Sequence, residues 1–247
     1  MKVFSKTHVG LIRENNEDAL LVQEPKLFAV ADGMGGSNAG EVASKNAIRV
    51  FQTSFEQKIE MEQSVACALR KAVDGANSHV YYMSTDRPEY SGMGTTLTAL
   101  YFENSTTAYV AQVGDSRLYR WRDGCLTQIT QDQTMVGELL AAGKITKEEA
   151  SKHPKKNMLT QALGVGPDVE VAITKLDISP QDRYLICSDG LSNMLSEQEL
   201  ITGLREKDLN RCGEWLLERA LQNGGKDNIS LILIGELDKE DAHGADN

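Results

Sequence analysis

The chain has 247 residues, 40% of them hydrophobic and 25% charged, which is typical of a globular protein with a sizeable core. Its formal net charge of −10 disfavours nucleic-acid binding, because a phosphate backbone requires a positive face. No apolar run approaches the roughly 20 residues that span a bilayer, and the first residues lack the apolar segment of a signal peptide. We therefore expect a soluble, cytoplasmic protein, a monomer without nucleic-acid or membrane partners.

Short β-rich segments joined by turns predict three hairpins and three further strands. The predicted strands are residues 19–22, 27–31, 96–102, 107–113, 117–122, 125–129, 169–176, 183–187 and 228–235. The third hairpin turns at Asp123-Gly124, which is a strong hairpin signal. Because hairpins join antiparallel strands, the sheets should be largely antiparallel.

Apolar residues at helical spacing predict helices at 39–55, 61–83 and 209–221. The segment from Thr134 to Lys156 is polar and only weakly helical, so we expect it to cross the surface rather than to fill the core. Strands and helices together predict the α+β class, with sheets covered by helices. No linker divides the chain, which favours a single domain over 1–237 and a short, frayed acidic tail at 238–247.

Five aspartates lie at the ends of predicted strands, where a sheet could bring them to one edge. They are Asp18, Asp32, Asp115, Asp189 and Asp227. Aspartate is a common turn former, so each position taken alone is ordinary. Five together favour a shared cation, because clustered carboxylates repel one another. Such oxygen ligands suit Mg²⁺ or Mn²⁺, and the backbone carbonyl of Gly33 could also approach an ion.

Arg13 lies five residues before Asp18, on what we expect to be a strand leading into the first acidic site. A lone arginine is usually a surface charge, but its planar guanidinium can pair with two phosphoryl oxygens. None of the four cysteines is followed by arginine at the spacing of a CxxxxxR phosphate loop. These features favour phosphoester hydrolysis by metal-bound water.

The motifs around these residues resemble, in order, those of the metal-dependent type-2C (PPM) serine/threonine protein phosphatases in their compact bacterial form. They are Arg13 with Asn16-Glu17-Asp18, and residues 31–36 (ADGMGG), 92–96 (GMGTT), 113–117 (VGDSR), 188–190 (SDG) and 226–230 (KDNIS). Each motif is weak alone, but six in one order make coincidence improbable. The resemblance implies a four-layer αββα sandwich, in which helices flank two mainly antiparallel β-sheets and metals bind at one end.

The resemblance also implies roles for the site residues. The metal ligands would be Glu17, Asp18, Asp32, Gly33, Asp115, Asp189 and Asp227. Asp32 would bridge two core Mn²⁺ or Mg²⁺ ions, and Asp115 would hold a third, weaker ion together with Asp189. Arg13 would bind the substrate phosphate, beside a flap formed by residues 134–156.

The sequence leaves the identity of the general acid undecided. Met34 stands where eukaryotic relatives place a histidine proposed for this role, so another proton donor is required. His153 resembles a flap histidine of bacterial members and is one candidate. A histidine at this position beside Pro154 is equally typical of a helix end without a catalytic role. A metal-bound water could also donate the proton instead.

The expected activity is hydrolysis of phosphoserine and phosphothreonine in proteins, by direct attack of a water or hydroxide that bridges two metal ions. A serine/threonine protein kinase would supply the opposing activity. Two alternatives remain. A catalytically dead phosphoprotein-binding module would be expected to lose a metal carboxylate, and none is lost here. A different metal-dependent phosphoesterase, such as a nuclease, is disfavoured by the negative charge.

Overall fold

Two antiparallel sheets form the centre of the molecule in the computed structural model, which describes residues 1–36, 39–62 and 64–237. The first sheet runs, in spatial order, β1 (Lys2–His8), β11 (Ile229–Gly235), β10 (Arg183–Cys187), β7 (Arg117–Arg122) and β8 (Cys125–Gln128). The second runs β2 (Asp18–Gln23), β3 (Leu27–Met34), β5 (Leu97–Phe102), β6 (Thr107–Val113) and β9 (Ala172–Asp177), with β4 (Gly94–Thr95) paired to β3. All of these pairings are antiparallel, as the sequence predicted.

Helices cover the outer face of each sheet. The second sheet carries α1 (Ala39–Ile59) and α2 (Val65–Asp86), and a 3-10 turn at Pro88–Tyr90 follows them. The first sheet carries α5 (Asp189–Ser192), α6 (Glu197–Leu204) and α7 (Leu209–Gln222). Two short helices, α3 (Met135–Ala141) and α4 (Lys147–Lys152), belong to the segment predicted as a flap.

Three apolar cores separate these four layers. On β3, Phe28 and Val30 face the other sheet, whereas Ala29 and Ala31 face the helices, as the two-residue repeat of a strand requires. β10 behaves alike: Tyr184 and Ile186 pack between the sheets, and Leu185 and Cys187 pack under α5–α7. Both strands are therefore apolar on both faces, and the αββα sandwich expected from the resemblance is confirmed.

The flap segment begins where Thr134 caps α3 by accepting a hydrogen bond from the backbone N–H of Gly137 at 2.9 Å. Thr146 and Glu149 form a reciprocal capping box at the start of α4. These caps explain how a polar segment becomes helical without a large apolar stripe. The predicted tail at 238–247 lies outside the described residues.

One sequence expectation about the site was wrong. Arg13 is not on a strand, because β1 ends at His8 and β2 begins only at Asp18. A hydrogen bond ties the intervening loop to the segment before β11, because the backbone N–H of Leu11 donates to the carbonyl of Gly225 at 2.7 Å. Arg13 therefore approaches the sheet edge from a loop that is tied to the start of β11.

Candidate active site

The strand ends bring most of the predicted site residues to one cavity of about 260 Å³ at the edge of the sandwich. It is lined by Arg13, Glu17, Asp32, Gly33, Asp115, Asp189 and Asp227. Asp32 lies near the end of β3, Asp115 in the β6–β7 turn, and Asp189 at the start of α5, two residues after β10 ends. Asp18 lies directly opposite Asp32 in the β2–β3 ladder. The convergence predicted from the sequence is thus present in the fold.

Asp32 is the centre of the cluster. Its backbone N–H donates to Thr96 Oγ1 at 2.9 Å, which fixes the strand end. Burial raises the pKa of its carboxyl well above the ordinary range, and the neighbouring charges of Asp18 and Asp189 raise it further. A carboxylate so placed requires either a proton or a cation.

Asp18 lies beneath the cavity and is only 5% exposed. Its Oδ2 accepts a hydrogen bond from Ser188 Oγ at 2.8 Å, while Oδ1 has no hydrogen-bond partner among the described residues. Burial raises the pKa of this carboxyl to about 7. Ser188 was not singled out by the sequence. Its position before Asp189, at the end of a buried strand, is the signal that could have identified it.

Asp115 and Asp189 form the side of the cavity next to the flap segment. Burial raises the pKa of Asp115 to about 7, with the charge of Asp189 as the next cause. Burial also raises the pKa of Asp189, followed by the charge of Asp227. Asn193 Nδ2 donates to Asp189 Oδ2 at 3.0 Å and holds that carboxyl from the helix side.

Arg13 contributes the positive charge at the rim of the cavity. Its Nη2 lies 2.8 Å from Asp227 Oδ2, and about half of its side chain is exposed. One edge of the guanidinium is thus oriented by Asp227, while the side chain remains accessible from solvent. This is the arrangement that an anion-binding arginine requires.

Asn228 holds the loop that carries Arg13 and Glu17, a role that the sequence did not reveal. Its Oδ1 accepts from the backbone N–H of Glu17 at 2.8 Å. Its Nδ2 donates to the carbonyls of Val9 at 2.8 Å and Asn15 at 2.9 Å. One buried amide therefore joins the start of β11 to both ends of the loop.

Two glycines permit the close backbone contacts of the site. A Cβ at Gly33 would overlap the carbonyl oxygens of Gly40 and Glu17, and a Cβ at Gly190 would overlap that of Asn228. The Gly33 N–H donates to the Glu17 carbonyl at 3.1 Å. These contacts keep Glu17 beside Asp32 and leave the backbone of Gly33 on the cavity wall.

The residues present suit a hard divalent cation. Among the described residues, no three carboxylate, imidazole or thiol side chains already close around one point as a metal-binding group. The donor set nevertheless consists of carboxylate oxygens, and the buried Asp18 Oδ1 has no hydrogen-bond partner. The raised pKa values of Asp32, Asp115 and Asp189 show that this cluster lacks sufficient positive charge of its own. Cations would supply that charge.

His153 is not brought to this cavity. It is the C-cap residue of α4, and its Nδ1 accepts from the backbone N–H of Lys155 at 3.2 Å. Asn157, four residues later, lines the cavity instead, together with Met34, Thr96 and Leu159. The role of His153 as a proton donor therefore remains a prediction.

Comparison with known proteins identifies the family. The model described as "Protein phosphatase 2C" matches residues 12–229, and the chain belongs to that family. The chain is 38% identical over 238 residues to the serine/threonine protein phosphatase PstP of Mycobacterium tuberculosis, an alignment that covers 96% of the chain but 45% of PstP. It is also 38% identical over 236 residues to the serine/threonine phosphatase stp of Listeria welshimeri, covering 93% of each protein.

Solved structures agree with this assignment. The crystal structure of M. tuberculosis PstP/Ppp matches with a TM-score of 0.87 and 38% identity, covering 94% of this chain and 97% of that one. The catalytic domain of PstP in complex with two manganese ions matches with a TM-score of 0.83 and 37% identity, covering 94% and 96%. Among the described residues, no helix is long and apolar enough to cross a membrane.

Proposed function

We propose that this chain is a metal-dependent protein serine/threonine phosphatase, which hydrolyses phosphoserine and phosphothreonine in proteins. Membership of the protein phosphatase 2C family supports this proposal. The observation that carries it is the mutually repelling carboxylate cluster around Asp32, with the partly exposed guanidinium of Arg13 at its rim. Cations and an anionic substrate are what such a site can bind together.

Two core Mn²⁺ or Mg²⁺ ions bind here, in keeping with the two manganese ions of the PstP catalytic domain. The ligands are drawn from Glu17, Asp18, Asp32, Gly33, Asp115, Asp189 and Asp227. Asp32, which the charges of four other aspartates surround, would be the ligand shared by the core ions. Asp115 and Asp189, whose charges act on one another, would hold a third and weaker ion. Divalent ions acidify water, so they would provide a hydroxide nucleophile at neutral pH.

The chain's own residues bind and orient the phosphate. Arg13 pairs with phosphoryl oxygens through the edge of its guanidinium that Asp227 leaves free. Asp227 fixes the rotamer of Arg13, so that less side-chain freedom is lost on binding. Asn228 keeps the loop of Arg13 at a constant distance from the carboxylates. These contacts position the phosphorus for in-line attack.

Further properties follow as parts of the same proposal. Residues 1–237 form one catalytic domain, with 134–156 as its flap. The protein acts as a monomer in the cytoplasm, opposes a serine/threonine protein kinase and takes no nucleic acid as substrate. The formal charge of −10 supports the last point, because a nucleic acid would be repelled from most of the surface.

The test compares three substrates under one condition. With Mn²⁺ present, we expect release of phosphate from a phosphothreonine peptide and from a small aryl phosphate, but no cleavage of an oligonucleotide. Cleavage of the oligonucleotide in preference to the peptide would indicate a nuclease. Binding of the phosphopeptide without turnover would indicate a catalytically dead module.

A further inference from the structure

The carboxylate cavity does not end at the metal ligands. A second cavity of about 380 Å³, the flap cavity, adjoins it and shares Asp115, Asn157 and Asp189 as walls. It lies between the flap helices, represented by Val136 and Leu140, and the core of the molecule. The flap helices therefore cover a space that lies beside the site and shares its walls.

A third cavity of about 420 Å³, the helix cavity, continues in the same direction. It shares Arg117, Gln128 and Ser192 with the flap cavity and passes between β7–β8 and α5–α6. Both added volumes are within the usual range of about 300–1,000 Å³ for ligand pockets. The three cavities thus follow one another through shared wall residues, and we call this row of adjoining cavities, which leads away from the phosphate site, the groove.

The groove contains a polar group without a partner. Ser192 is 8% exposed and borders both outer cavities, yet its Oγ makes no hydrogen bond among the described residues. Buried hydroxyl groups in native proteins are nearly always hydrogen-bonded. Ser192 therefore belongs to the common wall of the two outer cavities, with its hydroxyl covered by the surrounding residues.

The far end of the groove carries an uncompensated negative charge. Two charged residues line the helix cavity, Arg117 and Glu197. Arg117 is neutralised by Asp132, whose Oδ2 lies 2.6 Å from its Nη2. Glu197 lies exposed in the first turn of α6, with no ion pair among the described residues. The charge left at this end therefore selects a cation.

We propose that this groove, which rests on the phosphatase function proposed above, binds one flank of the substrate polypeptide in an extended conformation. A lysine or arginine on that flank pairs with Glu197. The occupant is fixed by continuity, because a phosphorylated residue held at Arg13 places its own neighbours at the mouth of the groove.

The test uses phosphothreonine peptides in which a single lysine, or a glutamate in its place, is moved along either flank. In the wild type, lysine at one position on one flank should raise kcat/KM over glutamate by roughly three- to tenfold at low salt, and less at high salt. Glu197→Lys should reverse that preference. Glu218→Lys, an exposed carboxylate change on the neighbouring helix α7, is the matched control and should preserve it.

A second variant tests the groove by its shape. Thr127 is exposed, lines the helix cavity and lies on β8, where tryptophan is compatible with a strand. Thr127→Trp should lower kcat/KM for long peptides and leave a small aryl phosphate unaffected. An unchanged lysine preference in Glu197→Lys, or equal effects of Thr127→Trp on long and truncated peptides, would overturn the groove proposal. Absence of metal-dependent turnover of every phosphorylated substrate would instead overturn the phosphatase function.

Discussion

Asp18 lies directly opposite Asp32 across the β2–β3 ladder, so the fold holds two carboxylates side by side at the edge of the sheet. Like charges in such a pair are destabilising by about 0.2–1 kcal/mol. Burial beside the cavity increases that cost, which the raised pKa values of both groups report. The metal-free protein is thus destabilised at the position where cations are expected to bind.

The first prediction follows from this pair. Asp32→Asn should raise the unfolding free energy of the metal-free protein by about 1 kcal/mol, because one of the opposed charges is removed. Saturating Mn²⁺ should stabilise the wild type far more than the variant. Denaturant unfolding in EDTA and in Mn²⁺ measures both effects. A variant that is less stable than the wild type in EDTA would show that Asp32 has a structural role instead.

A pH dependence follows from Asp18. Its pKa is raised from 3.8 to about 7 by burial, so its protonated form is favoured in the folded state. The associated stability is complete below about pH 4 and is lost as pH rises through 7. At about 1.4 kcal/mol per pH unit, the loss is at most about 4 kcal/mol. The metal-free wild type should therefore lose stability between about pH 4 and 7.

The control for this prediction is Asp18→Asn, whose amide does not titrate. The difference in unfolding free energy between this variant and the wild type should grow with pH in EDTA. In Mn²⁺ the stability of the wild type should instead rise with pH, because bound cations compete with protons for the carboxylates. Parallel pH profiles of the two proteins in EDTA would contradict the proposed burial of an ionised Asp18.

Arg13→Ala separates phosphate binding from a surface role. If Arg13 binds the phosphoryl group, kcat/KM on a phosphothreonine peptide should fall roughly ten- to hundredfold, the equivalent of about 1.5–3 kcal/mol. Arg13→Lys should recover only part of the lost kcat/KM, since an ammonium lacks the two-pronged geometry of a guanidinium. The ion pair with Asp227 is half exposed, so the stability change should stay below about 1 kcal/mol.

A metal titration completes the Arg13 experiment. Removing a cation that lies 2.8 Å from Asp227 should leave the affinity for Mn²⁺ the same or slightly higher. Unchanged kinetics in Arg13→Ala would assign this arginine to the surface. A large loss of metal affinity would mean that the kinetic effect was indirect.

Asn228→Ala tests the clamp on the loop. It removes three hydrogen bonds from a side chain that is 5% exposed, so stability should fall by about 1–3 kcal/mol. Because the loop carries Arg13 and Glu17, kcat/KM should fall as well. Asn223→Ala is the matched control: that amide bonds Met194 and Glu199 at the end of α7, away from the site. Equal kinetic losses in the two variants would refute the positioning role.

The sequence predicted the elements that have strong periodic signals. All nine expected strands and three long helices are present, with ends shifted by a few residues; α2 begins after its N-cap Ser64 rather than at Met61. β1 was not predicted, because polar and apolar residues occur on both of its faces. The short helices α5 and α6 were missed because they span only one to two turns, and tertiary packing decides such segments.

The sequence predicted the carboxylates of the site but not the residues that hold them in place. Aspartate next to glycine at a strand end is visible in one dimension, and those aspartates converge as expected. Asn228 and Ser188 act across more than 160 residues of sequence, through contacts that only the assembled sandwich creates. The strand expected at Arg13 is absent, and Leu11 and Ile12, which precede it, are exposed in a loop.

The most direct test of the account is phosphate release from a phosphothreonine peptide by protein stripped of metal and then titrated with Mn²⁺. We predict no turnover in EDTA, full recovery as Mn²⁺ is added, and no recovery at the same concentrations in Asp32→Asn, since this variant lacks the carboxylate proposed to bridge the ions. Full turnover by the wild type in excess EDTA would contradict metal-dependent catalysis at this site.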